Sequence, residues 1–433
     1  MSNTIEVLSE NQRKVGRRTV LRSSVAAAIA VPYFVPGRAL GLDNVAPPSD
    51  RVTVGQIGVG NRGIGLFRST FGLPNAQFVA ISDCYKSKRD SVAAIAKATA
   101  YQDCRDLIAR DDIDAVIIAT PDHNHVPIGI AAARAGKDVF IEKPLGISIE
   151  DDLAMQKVIE ETGQVFQYGT QQRSMPHCWK GCELVRQGKI GQIKSIELEA
   201  PDGGEGGSTV ASPVPKDLDF DAWCGRSPMR PYTPDLCKQP GSYWVYSQSI
   251  GYLAGWGAHP LDIMVWASDV DTRGPICVEG TGTIPTEGLY DCVIHWDMKI
   301  TMGDVVATFK PGADRTKFVG EDGWVQVARD AGRCMGSEPE LNPRSNGKID
   351  LTEDSLQVST NHMADFIDSV QTRKQPVANI RDAVRGEVIS QLCDIAVRTG
   401  EKITWDPKKR ELVDPSDAAK AMLSRPLRGS WTL

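Results

Sequence analysis

The sequence predicts an α/β protein in two parts: an N-terminal doubly wound parallel sheet, then a second α/β domain with a mostly antiparallel sheet. Three observations carry this. Val52-Thr53-Val54-Gly55-Gln56-Ile57 reads as a short buried strand that runs straight into a glycine-rich turn and a helix. Strand and helix patterns then alternate as far as Tyr168, the succession that builds a parallel sheet. After Gln171 the pattern changes to strands of half-exposed character. The expected division is residues 51–170 for the first domain and 171–433 for the second.

Gly58, Gly60 and Gly63 stand at G-x-G-x-x-G spacing, with Asn61 and Arg62 between the last two. The first glycine allows a tight turn. The second lets a pyrophosphate approach the backbone, and the third lets the helix pack closely on the strand. The helix that starts near Gly60 points free N–H groups at that phosphate. Residues 77–81 read as the next strand, and Asp83 follows it, 83 − 63 = 20 residues after the last glycine. An acid there binds a ribose 2′-OH and repels a 2′-phosphate, so NAD is favoured over NADP. Lys86, Lys88 and Arg89 nearby keep NADP open.

The remaining elements follow in order. An Ala-rich helix is expected over 87–99 and a short helix near 103–110. The strand 115–119 is apolar on both faces, as a central parallel strand requires. A helix runs through 128–135 with Gly136 as its C′ residue, then a strand over 138–141. A helix over 150–162 ends at Gly163, and 165–168 is the last parallel strand. Beyond it come a helix through 178–187 and a strand over 193–200. Residues 201–250 are rich in Gly, Pro and aromatics without periodicity, as in loops that line a binding site. Strands are expected at 274–283, 291–298, 305–310 and 324–328, with a hairpin turn at 320–323. A polar loop covers 335–355, and helices return at 360–370 and 382–398.

With 41% hydrophobic and 24% charged residues the composition is that of a globular protein, and a net charge of −6 argues against a nucleic-acid surface. No apolar stretch is long enough to span a bilayer. Residues 1–42 are read as targeting rather than fold. Arg17-Arg18 is followed by apolar runs at 25–31 and 33–35, like a twin-arginine export signal, which predicts an exported, extracytoplasmic protein. Ala39-Leu40-Gly41 is a poor cleavage site, and 43–50 is a linker. Ten scattered cysteines form no C-x-x-C, and His177, Cys178 and Cys182 lack a second ligand pair, so no metal is expected.

Thr120-Pro121-Asp122-His123-Asn124-His125 follows the apolar strand, and Glu142-Lys143-Pro144 closes the next one. Together with the glycine turn these resemble the Gfo/Idh/MocA family of NAD(P)-dependent sugar and polyol oxidoreductases. The resemblance implies a Rossmann nucleotide domain and a C-terminal α/β domain whose large open sheet serves substrate and subunit contacts, with assembly as a dimer or tetramer. It implies Lys143 as the catalytic lysine, with Lys143–Pro144 a candidate cis peptide. Independently, a lysine at a strand's carboxyl end can polarise a hydroxyl or carbonyl, and its pKa falls readily when desolvated. Gly58, Gly60, Asn61, Arg62, Gly63, Asp83, Thr120, Pro121, His125, Glu142 and Lys143 form the expected cofactor set.

Gly251–His259 matches the family's glycine-rich segment that ends in a histidine, making His259 the candidate general base, with Asp262 three residues on to orient it. Many members carry Asp four residues before this histidine; here that position is Gly255. Lys143, Arg173, Tyr246, Trp256, His259 and Asp262 are the expected substrate contacts, with Trp223, Tyr243 and Trp244 as further aromatics that could shape a sugar site. The expected activity is hydride transfer between a ring carbinol of a sugar or polyol and a tightly bound nicotinamide, since an exported enzyme has no obvious NAD pool. The alternatives are an NAD-dependent glycosidase working by oxidation, elimination and addition, and a non-catalytic sugar-binding protein.

Overall fold

Six strands form the first sheet: β1 (Val52–Ile57), β2 (Ala76–Ser82), β3 (Thr99–Tyr101), β4 (Ala115–Ile118), β5 (Asp138–Ile141) and β6 (Phe166–Tyr168). Their order is β3-β2-β1-β4-β5-β6, and every pairing is parallel. The order reverses between β1 and β4. At such a switch point the helices after the two strands lie on opposite faces and leave a crevice at the carboxyl ends. β4 is buried along its whole length, as its unbroken apolar run requires. The computed structural model describes residues 47, 50–329, 333–341, 351–426, 428 and 429. Residues 1–42, read above as an export signal, and most of the expected linker lie outside the described residues.

Boundaries follow local chemistry. The helix Ile149–Thr162 begins at Ser148, whose hydroxyl accepts from the Asp151 amide, and stops at Gly163 in the left-handed conformation. The helix expected over 87–99 is shorter. It spans Lys86–Ala96 and is ended by Lys97 at φ 55, which frees Thr99–Tyr101 to pair with β2 as an edge strand.

The second sheet holds β7 (Ile193–Ala200), β8 (Ile276–Thr283), β9 (His295–Met302), β10 (Val305–Pro311), β11 (Arg315–Gly320), β12 (Trp324–Ala328), β13 (Arg333–Gly336), β14 (Ile403–Asp406) and β15 (Glu411–Leu412). Its order is β13-β12-β11-β7-β10-β9-β8-β14-β15. β7 and β10 pair in parallel, and the other neighbours are antiparallel. The strand expected over 291–298 starts instead at His295, and β11 and β13 to β15 had no clear sequence signal. Along β9 exposed and buried residues alternate, and the outward charges pair across strands: Lys299 with Glu279 and Lys310 with Asp297, each at 3.0 Å. The inner face packs on the helices Pro176–Arg186, Ala258–Ser268 and Ile380–Thr399.

The helix His362–Thr372 crosses back to the first sheet. Met363, Phe366 and Ile367 share a core with Val52, Val54 and Phe140. A late segment of the chain thus closes one face of the parallel sheet, within the compact unit Ser49–Leu433.

Candidate functional site

The three glycines of the turn have separable roles. A Cβ on Gly58 (φ +87) would lie 2.5 Å from the Ala119 carbonyl oxygen, and one on Gly63 would lie 2.2 Å from the Gly58 oxygen. Both positions are closed by the protein's own backbone. A Cβ on Gly60 would meet nothing within 4 Å, and Gly60 caps the helix Asn61–Phe71 without any side-chain cap bond. Backbone donors at a helix N-terminus therefore face open space, which fits a pyrophosphate. Buried Gln56 braces the turn, its Nε2 donating to the Gly63 and Gly58 oxygens at 2.8 and 3.2 Å. Asp83 ties the turn to the end of β2 by accepting from the Val59 and Tyr85 amides, each at 2.7 Å. Burial pushes its carboxyl up, and those amides with Lys88 and Arg89 pull it back.

These groups open onto a cleft of about 1010 Å³, walled by Gly58, Gly60, Asn61, Asp83, Thr120 and Pro121. Its far side comes from the aperiodic segment: Trp223, Tyr232 and Tyr243 line it, with Arg428 from the C-terminal end. That roof is fastened to the parallel sheet at both rims. Asp217 accepts from the Ser87 amide at 2.8 Å, Asp219 from Gln102 at 2.6 Å, and the Trp223 carbonyl from Asn124 at 3.1 Å. Arg428 donates to Asp221 Oδ1 at 2.7 Å and to the Gly225 carbonyl at 2.9 Å.

A second chamber of about 200 Å³ shares Ala119, Thr120, Gln239 and Tyr243 with the cleft. Arg62, Asp122, His125, Glu142, Lys143, Pro144, Tyr252, Gly255 and Trp256 complete it. The Lys143–Pro144 bond is cis. Lys143 Nζ donates to the Gly255 carbonyl and lies 5.7 Å from the Trp256 ring centroid. Burial lowers its pKa, against the opposing pull of Glu142 and Asp122. Glu142 Oε1 accepts from Arg62 at 2.6 Å and from Gln171 at 2.9 Å. His125 joins the two strand ends, Nδ1 at 2.7 Å from the Pro144 oxygen and Nε2 at 2.9 Å from that of Thr120.

The expected cofactor residues all converge on these two cavities except Gly63, whose part is packing. The substrate-side expectations need correction. Arg173 is 1% exposed and lines neither cavity; its guanidinium is taken up by Asp262 at 2.7 Å, Asp382 at 2.7 Å and the Val377 carbonyl. Tyr246 also lies elsewhere, its ring flanked by Arg398 and Arg425 and its hydroxyl donating to Asp394 at 3.0 Å. Asp262 is buried and reaches His259 only through Gln172, which donates to Asp262 Oδ2 at 2.8 Å. His259 does not line the chamber: it is 4% exposed, its ring 5.6 Å from that of Trp256. Burial, with the charges of Lys143, Arg329 and Arg62, lowers its pKa and keeps the ring neutral. Of the substrate set, Lys143 and Trp256 face the chamber. Asp122, Gln172, Gln239 and Tyr252 were missed. Asp122 had one usable signal, a carboxylate just past the carboxyl end of a central strand.

A parallel sheet with a phosphate-sized opening at its switch point, joined to a chamber holding a desolvated lysine, defines a nucleotide-dependent oxidoreductase architecture. The chain belongs to the Gfo/Idh/MocA oxidoreductase family: residues 52–170 match its NAD-binding Rossmann fold and residues 204–433 its C-terminal alpha/beta domain. It is 33% identical over 165 residues to a glycosyl hydrolase family 109 protein of Shewanella sp. (strain W3-18-1), covering 34% of this chain and 35% of that protein. It is 29% identical over 151 residues to inositol 2-dehydrogenase of Rhizobium meliloti (strain 1021), covering 35% of this chain and 46% of that one. The matches thus span about a third to a half of these relatives' lengths. In fold it resembles the crystal structure of GenD2 from gentamicin A biosynthesis in complex with NAD, with a TM-score of 0.62 and 17% identity over 84% of this chain and 98% of that one.

Proposed function

We propose that this chain transfers hydride between a hydroxyl-bearing carbon of a sugar or polyol and a tightly held NAD. The observation that carries this reading is Lys143, a desolvated lysine in a chamber continuous with the cleft at the glycine turn. The backbone at Gly60 and the N-terminus of Asn61–Phe71 would hold the pyrophosphate, and Asp83 the ribose, while Thr120, Pro121 and His125 wall the way inward. When bound, the nicotinamide supplies the hydride acceptor. Lys143, as the amine, takes the hydroxyl proton at Nζ, and the Gly255 carbonyl holds that nitrogen in place. His259, kept neutral, stands outside the chamber, its ring 5.6 Å from that of Trp256. Arg62 and Glu142 pair within the chamber at 2.6 Å and offset each other's charge. Tyr243, Tyr252 and Trp256 offer faces to the C–H side of a ring.

NAD rather than NADP is part of the proposal, since an acid at Asp83 disfavours a 2′-phosphate. So is export by the twin-arginine route as a homo-oligomer with its nucleotide already bound. The name of the inositol dehydrogenase relative supports the reading. Purifying the protein without added nucleotide and recording its absorbance and fluorescence tests it. Bound NAD is expected, and reduction on adding one of a panel of sugars and inositols; no nucleotide and no reduction would count against it.

A second reading is an NAD-dependent glycosidase. Gly255, a carbonyl where many family members carry a carboxylate, and the family 109 relatives favour it. Release of the aglycone from aryl glycosides without net NADH formation would support it.

A further inference from the structure

Lys143 needs a counter-charge when Nζ carries a proton, and the structure offers three anions. The charged and titratable groups facing it are Glu142 on its own strand end, Asp122 after β4, Arg62 on the first helix, Arg329 after β12, His259, and Glu387 on Ile380–Thr399. Glu142 is already paired with Arg62 at 2.6 Å. Glu387 is bonded to the Tyr168 hydroxyl, and burial pushes its carboxyl up to about 7. Asp122 remains. It lines the chamber with Lys143, it is 5% exposed, and among the described residues it forms no ion pair. Ser249 Oγ donates to its Oδ2 at 2.6 Å and pins the carboxylate.

We infer that Asp122 is the positioning carboxylate of the site: it sets the proton affinity of Lys143 from the neighbouring strand's carboxyl end, where Gly255 supplies only a carbonyl. Charge and burial agree with this. Burial raises the Asp122 carboxyl, while His125, Ser249 and Lys143 pull it back toward the ionised form. In the ground state the chamber then holds a carboxylate beside an amine, and the proton taken by Nζ creates a facing pair of opposite charges. Arg62 and Arg329 oppose that protonation and Glu142 assists it, so Asp122 adds the attraction that the Arg62-bound Glu142 cannot supply alone.

This inference rests on the reading of Lys143 as the group that moves the hydroxyl proton, and its test is independent of turnover. Trace labelling of the full chain with acetic anhydride across a pH series, read on the Lys143 peptide by mass spectrometry, yields the midpoint at which the amine becomes reactive. In Asp122→Asn that midpoint should fall by about one unit. Ser249→Ala, which frees the carboxylate without removing it, should lower it by less, and serves alone where Asp122→Asn does not fold. Midpoints equal to wild type in the folded variants overturn the inference. A lowered midpoint together with full turnover in Lys143→Ala would instead overturn the proposed reaction and leave the pairing intact.

Discussion

The Nδ1 of His259 lies 2.8 Å from the Oε1 of Gln172, and this contact decides which ring nitrogen carries the proton. Asp262 accepts three hydrogen bonds from Arg173 and one from the Gln172 amide nitrogen, so the amide must face it with its NH₂. Oε1 is therefore turned to His259, Nδ1 donates, and Nε2 keeps the lone pair. Gln172→Met removes both bonds and strands two buried polar groups. It should cost about 2–4 kcal/mol in a urea titration; a loss under 1 kcal/mol would deny the relay.

Lys143→Ala should lower turnover about 10²–10⁴-fold with bound nucleotide retained. Because burial lowers the Lys143 pKa and the amine is the base, activity should rise with pH through that lowered value and level off above it. A rate falling over the same range would contradict the assignment.

Gly60→Ala and Gly63→Ala separate ligand space from packing. The Gly60 backbone has φ −66, which alanine adopts freely, and its Cβ would meet open space. Its thermal midpoint should match wild type while nucleotide retention drops. Gly63→Ala drives a Cβ into the Gly58 carbonyl, and should cost about 1–3 kcal/mol of stability or abolish folding. Equal retention in Gly60→Ala and wild type would show that no phosphate sits there.

Arg173→Ala should act on stability rather than on substrate affinity. It leaves the buried Asp262 without its cation and Asp382 with Arg385 alone at 3.1 Å, a loss of about 3–5 kcal/mol. Arg173 holds the Asp382 carboxyl below its usual range, so that part of the stability is present at neutral pH and is lost as pH falls through the depressed value. In Arg173→Ala the acid limb of the stability curve should flatten. A raised KM with an unchanged thermal midpoint would restore Arg173 to the substrate site.

Arg428→Ala removes the clamp on Asp221 and Gly225 at the edge of the roof. Release of nucleotide into a scavenging assay should quicken about tenfold, the equivalent of one charge-assisted bond. An unchanged release rate would show that the roof does not govern retention.

Residues near one another in the chain carried what could be read early. The glycine spacing, the apolar run of β4 and the capping at Gly163 are local, so the parallel sheet and the place of its cleft were legible. The EKP corner was legible too, because a lysine at a central strand's carboxyl end must face the crevice. Arg173 and Tyr246 were misplaced because side-chain type says nothing about which partner claims it. Arg173 met two carboxylates 89 and 209 residues away before any substrate could.

The sequence by itself determined the nucleotide-binding sheet, its glycine turn and the place of Lys143 at a strand's carboxyl end, because periodicity and backbone sterics act within a few residues. Only the tertiary structure decided that Asp122 and Lys143 line one chamber, that Gln172 stands between His259 and Asp262, and that segments near 220 and 428 roof the cleft. Those relations join residues whose separation leaves no period in the sequence, and they are set by packing and by the need to pair every buried charge.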